Sequence, residues 1–243
     1  MKVSDDGGAT WTDAGVGSCE TLDLEVTHSG AVWVKSGQRI WKSDNGDAGT
    51  YNEITVSPAG ADPETQILRS AVRMRMAISP TDDNYVYVIT ADGATGFSNF
   101  ARAYQSKDGG QTWRVIGERS ALVNPINLSP FAHTVGVDPK NPERILVAGL
   151  TVWEWSEQNG WFQIATNAQF ANFYVHADNH MIKWRPDQPN TIWIANDGGL
   201  FKSVDDGFSW TEENKGYATI QFYKMAVGFD GRFTGGTQDN GTI

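Results

Sequence analysis

The residues best equipped for chemistry lie in the last third of the chain. His176, Asp178 and His180 alternate, and in an extended strand that spacing turns two imidazoles and a carboxylate to one face. Such a set can offer three ligands to a first-row metal, but it serves as well as a hydrogen-bonded polar lining. The lining is the simpler reading, and no metal or other cofactor is expected. Asp197 and Asp239 end two strands of matching pattern, since Ala195-Asn196-Asp197-Gly198-Gly199-Leu200-Phe201 aligns with Thr237-Gln238-Asp239-Asn240-Gly241-Thr242-Ile243. Two carboxylates across a cleft are what glycoside hydrolysis requires, one as acid and one as base or nucleophile. The competing reading of each is a structural turn.

Further polar candidates sit earlier. Arg69, Arg73 and Arg75 share parity on one segment and make a small anion patch. His133 stands just before an apolar strand, and Gln238 stands beside Asp239. Trp153 and Trp155 flank Glu154 on one strand face. Exposed, they are a sugar-stacking platform; buried, they are packing between sheets, and burial is favoured.

The elements that must position these groups are announced by a repeat. An octamer recurs as Ser4-Asp5-Asp6-Gly7-Gly8-Ala9-Thr10-Trp11, Ser106-Lys107-Asp108-Gly109-Gly110-Gln111-Thr112-Trp113 and Ser203-Val204-Asp205-Asp206-Gly207-Phe208-Ser209-Trp210. Two worn copies lie between, Ser43-Asp44-Asn45-Gly46 with Tyr51 near the Trp place, and Ser156-Glu157-Gln158-Asn159-Gly160-Trp161. The starting serines are 39, 63, 50 and 47 residues apart, which matches one four-stranded sheet per repeat. In each intact copy Asp6, Asp108 or Asp205 can accept backbone N–H bonds within a tight turn. Gly8, Gly110 or Gly207 takes a positive φ without a Cβ penalty. Trp11, Trp113 or Trp210 then folds back to bury against the neighbouring sheet. These aspartates are read as structural.

A second phrase precedes the octamers. Ala77-Ile78-Ser79-Pro80, Val137-Asp138-Pro139 and Trp184-Arg185-Pro186 each end a strand and turn into another, at Tyr85, Ile145 and Thr191. No stretch keeps helical periodicity. The expected fold is all-β, a β-propeller of four-stranded antiparallel blades, with residues 1–243 as one domain of about five blade-equivalents. The C-terminal phrase stops where its aligned copy continues into Lys202-Ser203, and Lys2-Val3-Ser4 resembles that continuation. Either the ends meet in a shared fifth blade or a larger propeller is interrupted in mid-strand. The second is favoured, because closure seldom splits one strand.

The three intact octamers resemble the Asp-box, or BNR, repeat of sialidases, xyloglucan-cleaving glycoside hydrolases, sortilin-type receptors and many secreted bacterial propellers. The resemblance implies an extracellular or periplasmic propeller that binds a carbohydrate or protein ligand. His176, His180, Arg75, His133 and Gln238 are the expected ligand contacts. The alternative it implies is a glycoside hydrolase of the xyloglucan-cleaving type using Asp197 and Asp239, with Asp178; a weaker one is a sortilin-like peptide receptor. Two departures count against catalysis. The family places a residue between its catalytic Asp and the Gly-Gly pair, which is missing at Asp197-Gly198-Gly199, and its two acids come from separate lobes. The Arg-Ile-Pro phrase of sialidases is absent.

Composition closes off other classes. A formal net charge of −10 repels a phosphate backbone, so nucleic acid is not an expected partner. Cys19 is the single cysteine, which rules out an intrachain disulfide. No apolar stretch approaches the roughly 20 residues of a membrane helix, so membrane insertion is not expected, and Met1 to Asp6 hold no apolar signal segment. Asn127-Leu128-Ser129 is formally a glycosylation sequon, followed by Pro130.

Overall fold

The computed structural model describes residues 1–17, 22–37, 39–54, 73–92, 99–118, 132–169, 171, 173–216 and 221–242. Cys19, Arg69 and the Asn127–Ser129 sequon lie outside them. All regular structure among the described residues is β.

The chain opens on a hairpin of β1 (Lys2–Val3) and β2 (Thr12–Asp13). Four antiparallel four-stranded sheets follow, each in simple sequence order. The first comprises β3 (Leu22–Val26), β4 (Val32–Ser36), β5 (Arg39–Ser43) and β6 (Asn52–Ile54). The second comprises β7 (Arg73–Ile78), β8 (Val86–Asp92), β9 (Asn99–Ser106) and β10 (Arg114–Glu118). The third comprises β11 (Thr134–Val137), β12 (Arg144–Ala148), β13 (Val152–Ser156) and β14 (Gly160–Ala165). The fourth comprises β15 (Asn179–Arg185), β16 (Gln188–Asn196), β17 (Gly199–Ser203) and β18 (Thr211–Glu212). A three-stranded sheet of β19 (Phe222–Val227), β20 (Phe233–Thr237) and β21 (Gly241–Thr242) ends the chain.

Every octamer falls at the same corner, between a sheet's third and fourth strands, and the first falls between β1 and β2. The bonds are the ones the residue types dictate. In the second sheet Ser106 Oγ donates to Asp108 Oδ1 at 2.8 Å and accepts from Gly110 N at 2.8 Å. Asp108 also receives Thr112 N and its hydroxyl at 2.8 and 2.5 Å, and Trp113 Nε1 returns to Gly110 O at 3.1 Å. Ser4, Asp6, Gly8, Thr10 and Trp11 repeat this set, as do Ser203, Asp205, Gly207 and Ser209. The Thr10 hydroxyl, then its amide and the Ser4 hydroxyl, hold the Asp6 carboxyl at about 2. In the worn copy Asn45 stands for the aspartate, and the Tyr51 hydroxyl reaches Gly46 O at 3.2 Å in place of the indole. The other worn copy departs: Trp161 Nε1 donates to Ile116 O of the second sheet at 2.7 Å.

The indoles join the sheets. Trp113 is 6% exposed and packs with Trp33 of the first sheet, and a Cβ at Gly110 would stand 2.5 Å from that ring. Trp210 packs with Leu146 and Val152 of the third sheet. Trp155 of the third sheet is buried edge-to-face on Tyr87 of the second, with centroids 6.2 Å apart. Thus Trp155 is packing, not a sugar platform. Trp11 corrects the expectation that each closing Trp is buried: it is 58% exposed, because no described sheet stands on that side of its hairpin.

Side chains at the octamer end also link neighbours. Asp83 accepts from His28 N and Ser29 N of the first sheet, both at 2.9 Å. Partly buried Arg144 joins Asp138, Glu154 and Asp206 at 2.7 to 2.9 Å across the third and fourth sheets. β19 is exposed along its whole length, and β21 does not pair with β1.

The two indoles make the packing testable. Trp113→Ala should cost about 3–5 kcal/mol and Trp11→Ala less than about 1 kcal/mol in urea denaturation. Equal costs would contradict the role given to the sheet interface.

Candidate functional site

The inner strands β3, β7, β11 and β15 run toward the Ser79-Pro80, Pro139 and Pro186 turns. The third strands run the same way toward the octamers, so both sets of turns share one end of the molecule. The opposite end carries the hairpins between second and third strands and the links that enter each inner strand. Asp197, at the β16–β17 hairpin, and His176, on the link into β15, lie there.

His180 Nε2 and Asp197 Oδ1 are 2.5 Å apart, with both side chains partly exposed. His176 faces Ala177 O through Nδ1 at 3.0 Å and Asp239 O through Nε2 at 3.1 Å. A neutral ring donates to only one of these carbonyls at a time. Asn240 Nδ2 donates to Asp197 O at 3.1 Å. These contacts tie the fourth sheet to the last. Asn196 anchors the arrangement beneath, donating to His176 O at 3.0 Å and accepting from Gly198 N at 3.0 Å. Buried Asn179 donates to Gly149 O at 2.6 Å.

One expectation is corrected here. His176, Asp178 and His180 do not share a strand face: β15 begins only at Asn179, and Asp178 takes φ of 60°. That left-handed residue bends the chain and breaks the two-residue alternation. The Gly pair after Asp197 has a packing reason of its own. A Cβ at Gly198 would lie 2.4 Å from the His176 ring. A Cβ at Gly199, where φ is 115°, would lie 2.0 Å from Asn214. Asn214 fills that space to bond Leu200 N and Gly198 O at 2.8 and 2.7 Å. Asp239 also takes φ of 60° and is exposed, and Gln238 N bonds Gln221 O at 2.8 Å. Among the described residues no three His, Cys, Asp or Glu side chains are grouped to hold a metal.

The remaining candidates form a separate cationic group. Arg75 Nη1 lies 3.4 Å from Asp23 Oδ1, and Asp23 Oδ2 accepts from Met76 N at 2.8 Å. His133 is 1% exposed and neither ring nitrogen has a hydrogen-bond partner. Burial first, then the charges of Arg75, Arg73 and Lys35, push it down to about 3. It is therefore neutral at physiological pH. The asparagines Asn196, Asn214 and Asn240 were not singled out by the sequence reading; asparagine beside a glycine turn is the signal that marks them.

Solved structures supply the comparison. The Xanthomonas campestris GH74 xyloglucanase superposes with a TM-score of 0.58 at 15% identity, covering 95% of this chain and 35% of its own. An ancestral GH74 enzyme gives 0.52 at 15% identity, covering 93% and 28%. The chain is a β-propeller. The COPII outer coat vertex matches at 0.54 and 12% identity over 93% of this propeller and 57% of that chain. No protein-family model and no curated protein matches the chain. The propeller spans about a third of the length of the GH74 enzymes it matches.

The buried imidazole sets an acid limit. An unfolded histidine binds a proton near pH 6.5, whereas His133 refuses one until about 3. Above about pH 6.5 the residue is neutral in both states. As pH falls below that value the unfolded state gains a proton first, and stability drops. At about pH 4.5 the loss is about 2–3 kcal/mol relative to pH 7. His133→Leu should remove that part of the slope in urea titrations at the two pH values; an unchanged slope would contradict it.

Proposed function

We propose that this chain is an Asp-box propeller that binds a glycan or protein ligand outside the cytoplasm, at the end opposite the octamer turns. The observation that carries the reading is the His180–Asp197 pair. It offers a half-exposed imidazole and carboxylate at the channel mouth, on a hairpin held by Asn196, Asn214 and Asn240. A rigid frame beneath a few exposed polar groups is the usual make-up of a binding site.

Binding is favoured over hydrolysis for two reasons. The Asp197 carboxylate is already engaged by His180, and both glycines after it are accounted for by His176 and Asn214. The hydrolase reading draws on the two GH74 neighbours, which at 15% identity speak to fold.

Xyloglucan oligosaccharide is the probe that separates the two. Calorimetry should detect binding, and Asp197→Ala or His180→Ala should weaken it about tenfold or more, the worth of a charged hydrogen bond. No reducing ends should be released. Reducing-end release abolished by Asp197→Ala would replace binding with hydrolysis. Absence of both binding and release would remove the glycan ligand.

A further inference from the structure

At the octamer end the inner strands enclose a cavity of about 440 Å³. That lies within the roughly 300–1,000 Å³ of sites that hold small ligands. All four complete sheets contribute. Ile78, Val135, Val137 and Ile182 give apolar walls, and Pro80, Pro139 and Pro186 give an apolar rim. The turns of the rim are fastened to each other, since Thr81 Oγ1 donates to Pro139 O at 3.2 Å. The cavity is thus built on strands and short turns, not on long loops.

Its charged groups are Glu25 of β3 and Lys183 of β15, 3.9 Å apart across the channel. The pair is uneven. The Glu25 side chain is 26% exposed and the Lys183 side chain 65%. A carboxylate held in an apolar wall needs a cation, and this one has a distant, solvated partner that is easily displaced. Burial pushes the Glu25 carboxyl above its ordinary range, Lys183 opposes that, and Asp23 adds to it. Trp184 also lines the cavity, and its indole N–H is buried without an acceptor. The ring lies against Gly136, where a Cβ would approach to 2.8 Å.

We propose that this cavity is a second binding site, which takes the side chain of a lysine from a peptide partner and sets its ammonium on Glu25 in place of Lys183. A lysine fits on each count. Its four-carbon stem matches the Ile, Val and Pro walls, and its ammonium can pair with Glu25 more closely than Lys183 does at 3.9 Å. An anionic or neutral sugar would bring Glu25 no cation nearer than Lys183. The site is at the far end of the channel from His180 and Asp197, so it stands or falls apart from the glycan reading.

The test uses the whole chain and calorimetry with acetyl-Gly-Gly-Lys-Gly-Gly-amide. Binding is expected, weakened about tenfold or more by Nε-acetylation of the lysine or by Glu25→Gln. Lys183→Ala, at an exposed position, should tighten binding about threefold, because it removes the competing ammonium. Asp197→Asn should leave it unchanged. No binding, or binding indifferent to acetylation, overturns the proposal. So does binding that Lys183→Ala leaves as it was or weakens, a result that decides the matter even if Glu25→Gln fails to fold. Tighter binding of Leu-Gly-Gly-amide, whose cation is its amino terminus, replaces the lysine by a chain end.

Discussion

A single local device underlies the rest: a serine hydroxyl and an aspartate carboxylate that close a turn on its own backbone. The turn satisfies its amides without help from neighbours, which is why it recurs intact at three places, and with Asn45 for the aspartate at a fourth, although their surroundings differ. Its consequence is global. By holding Gly8, Gly110 or Gly207 in a positive φ, it returns the indole to a fixed position over its own turn. Where a preceding sheet is present, as for Trp113 and Trp210, the indole becomes the joint between sheets. Where none is described, as for Trp11, the same turn forms and the indole stays in water. The turn is local; the burial is not.

With the sheets packed face to face, their inner strands define a channel whose ends differ chemically. The end away from the octamers is polar, carrying imidazoles, carboxylates and asparagine amides, with the hairpins pinned by side-chain bonds to main chain. The octamer end is lined by aliphatic and proline residues around one carboxylate. The division follows from strand direction. Residues entering an inner strand face one end, residues leaving it face the other, and the leaving residues here are Ile78-Ser79-Pro80, Val137 and Trp184.

Asp197-Gly198-Gly199 illustrates how one phrase admits two readings. As sequence, it admits a catalytic acid or a structural turn. In the fold, each glycine makes room for a named side chain, His176 against one and Asn214 against the other. Close packing of neighbouring side chains accounts for the pair. The same frame draws Asp197 toward His180 and the Asp239 main chain toward His176, linking two sheets through polar contacts rather than a core.

The sequence alone determined the sheet repeat, the octamer corner and the substitution of Tyr51 for an indole, because these depend on spacing and on bonds within a few residues. It also nominated His176, His180 and Asp197 as candidate site residues. Tertiary structure decided what depends on distant segments. Period-two reasoning set Asp178 on a common face with its flanking histidines, but its φ of 60° lets the chain bend before β15 begins. The isolation of His133 among Arg73, Arg75 and Lys35, and the meeting of Glu25 with Lys183, join residues from different sheets. No local pattern encodes such meetings, since burial and field at a residue are set by whatever the chain folds against it.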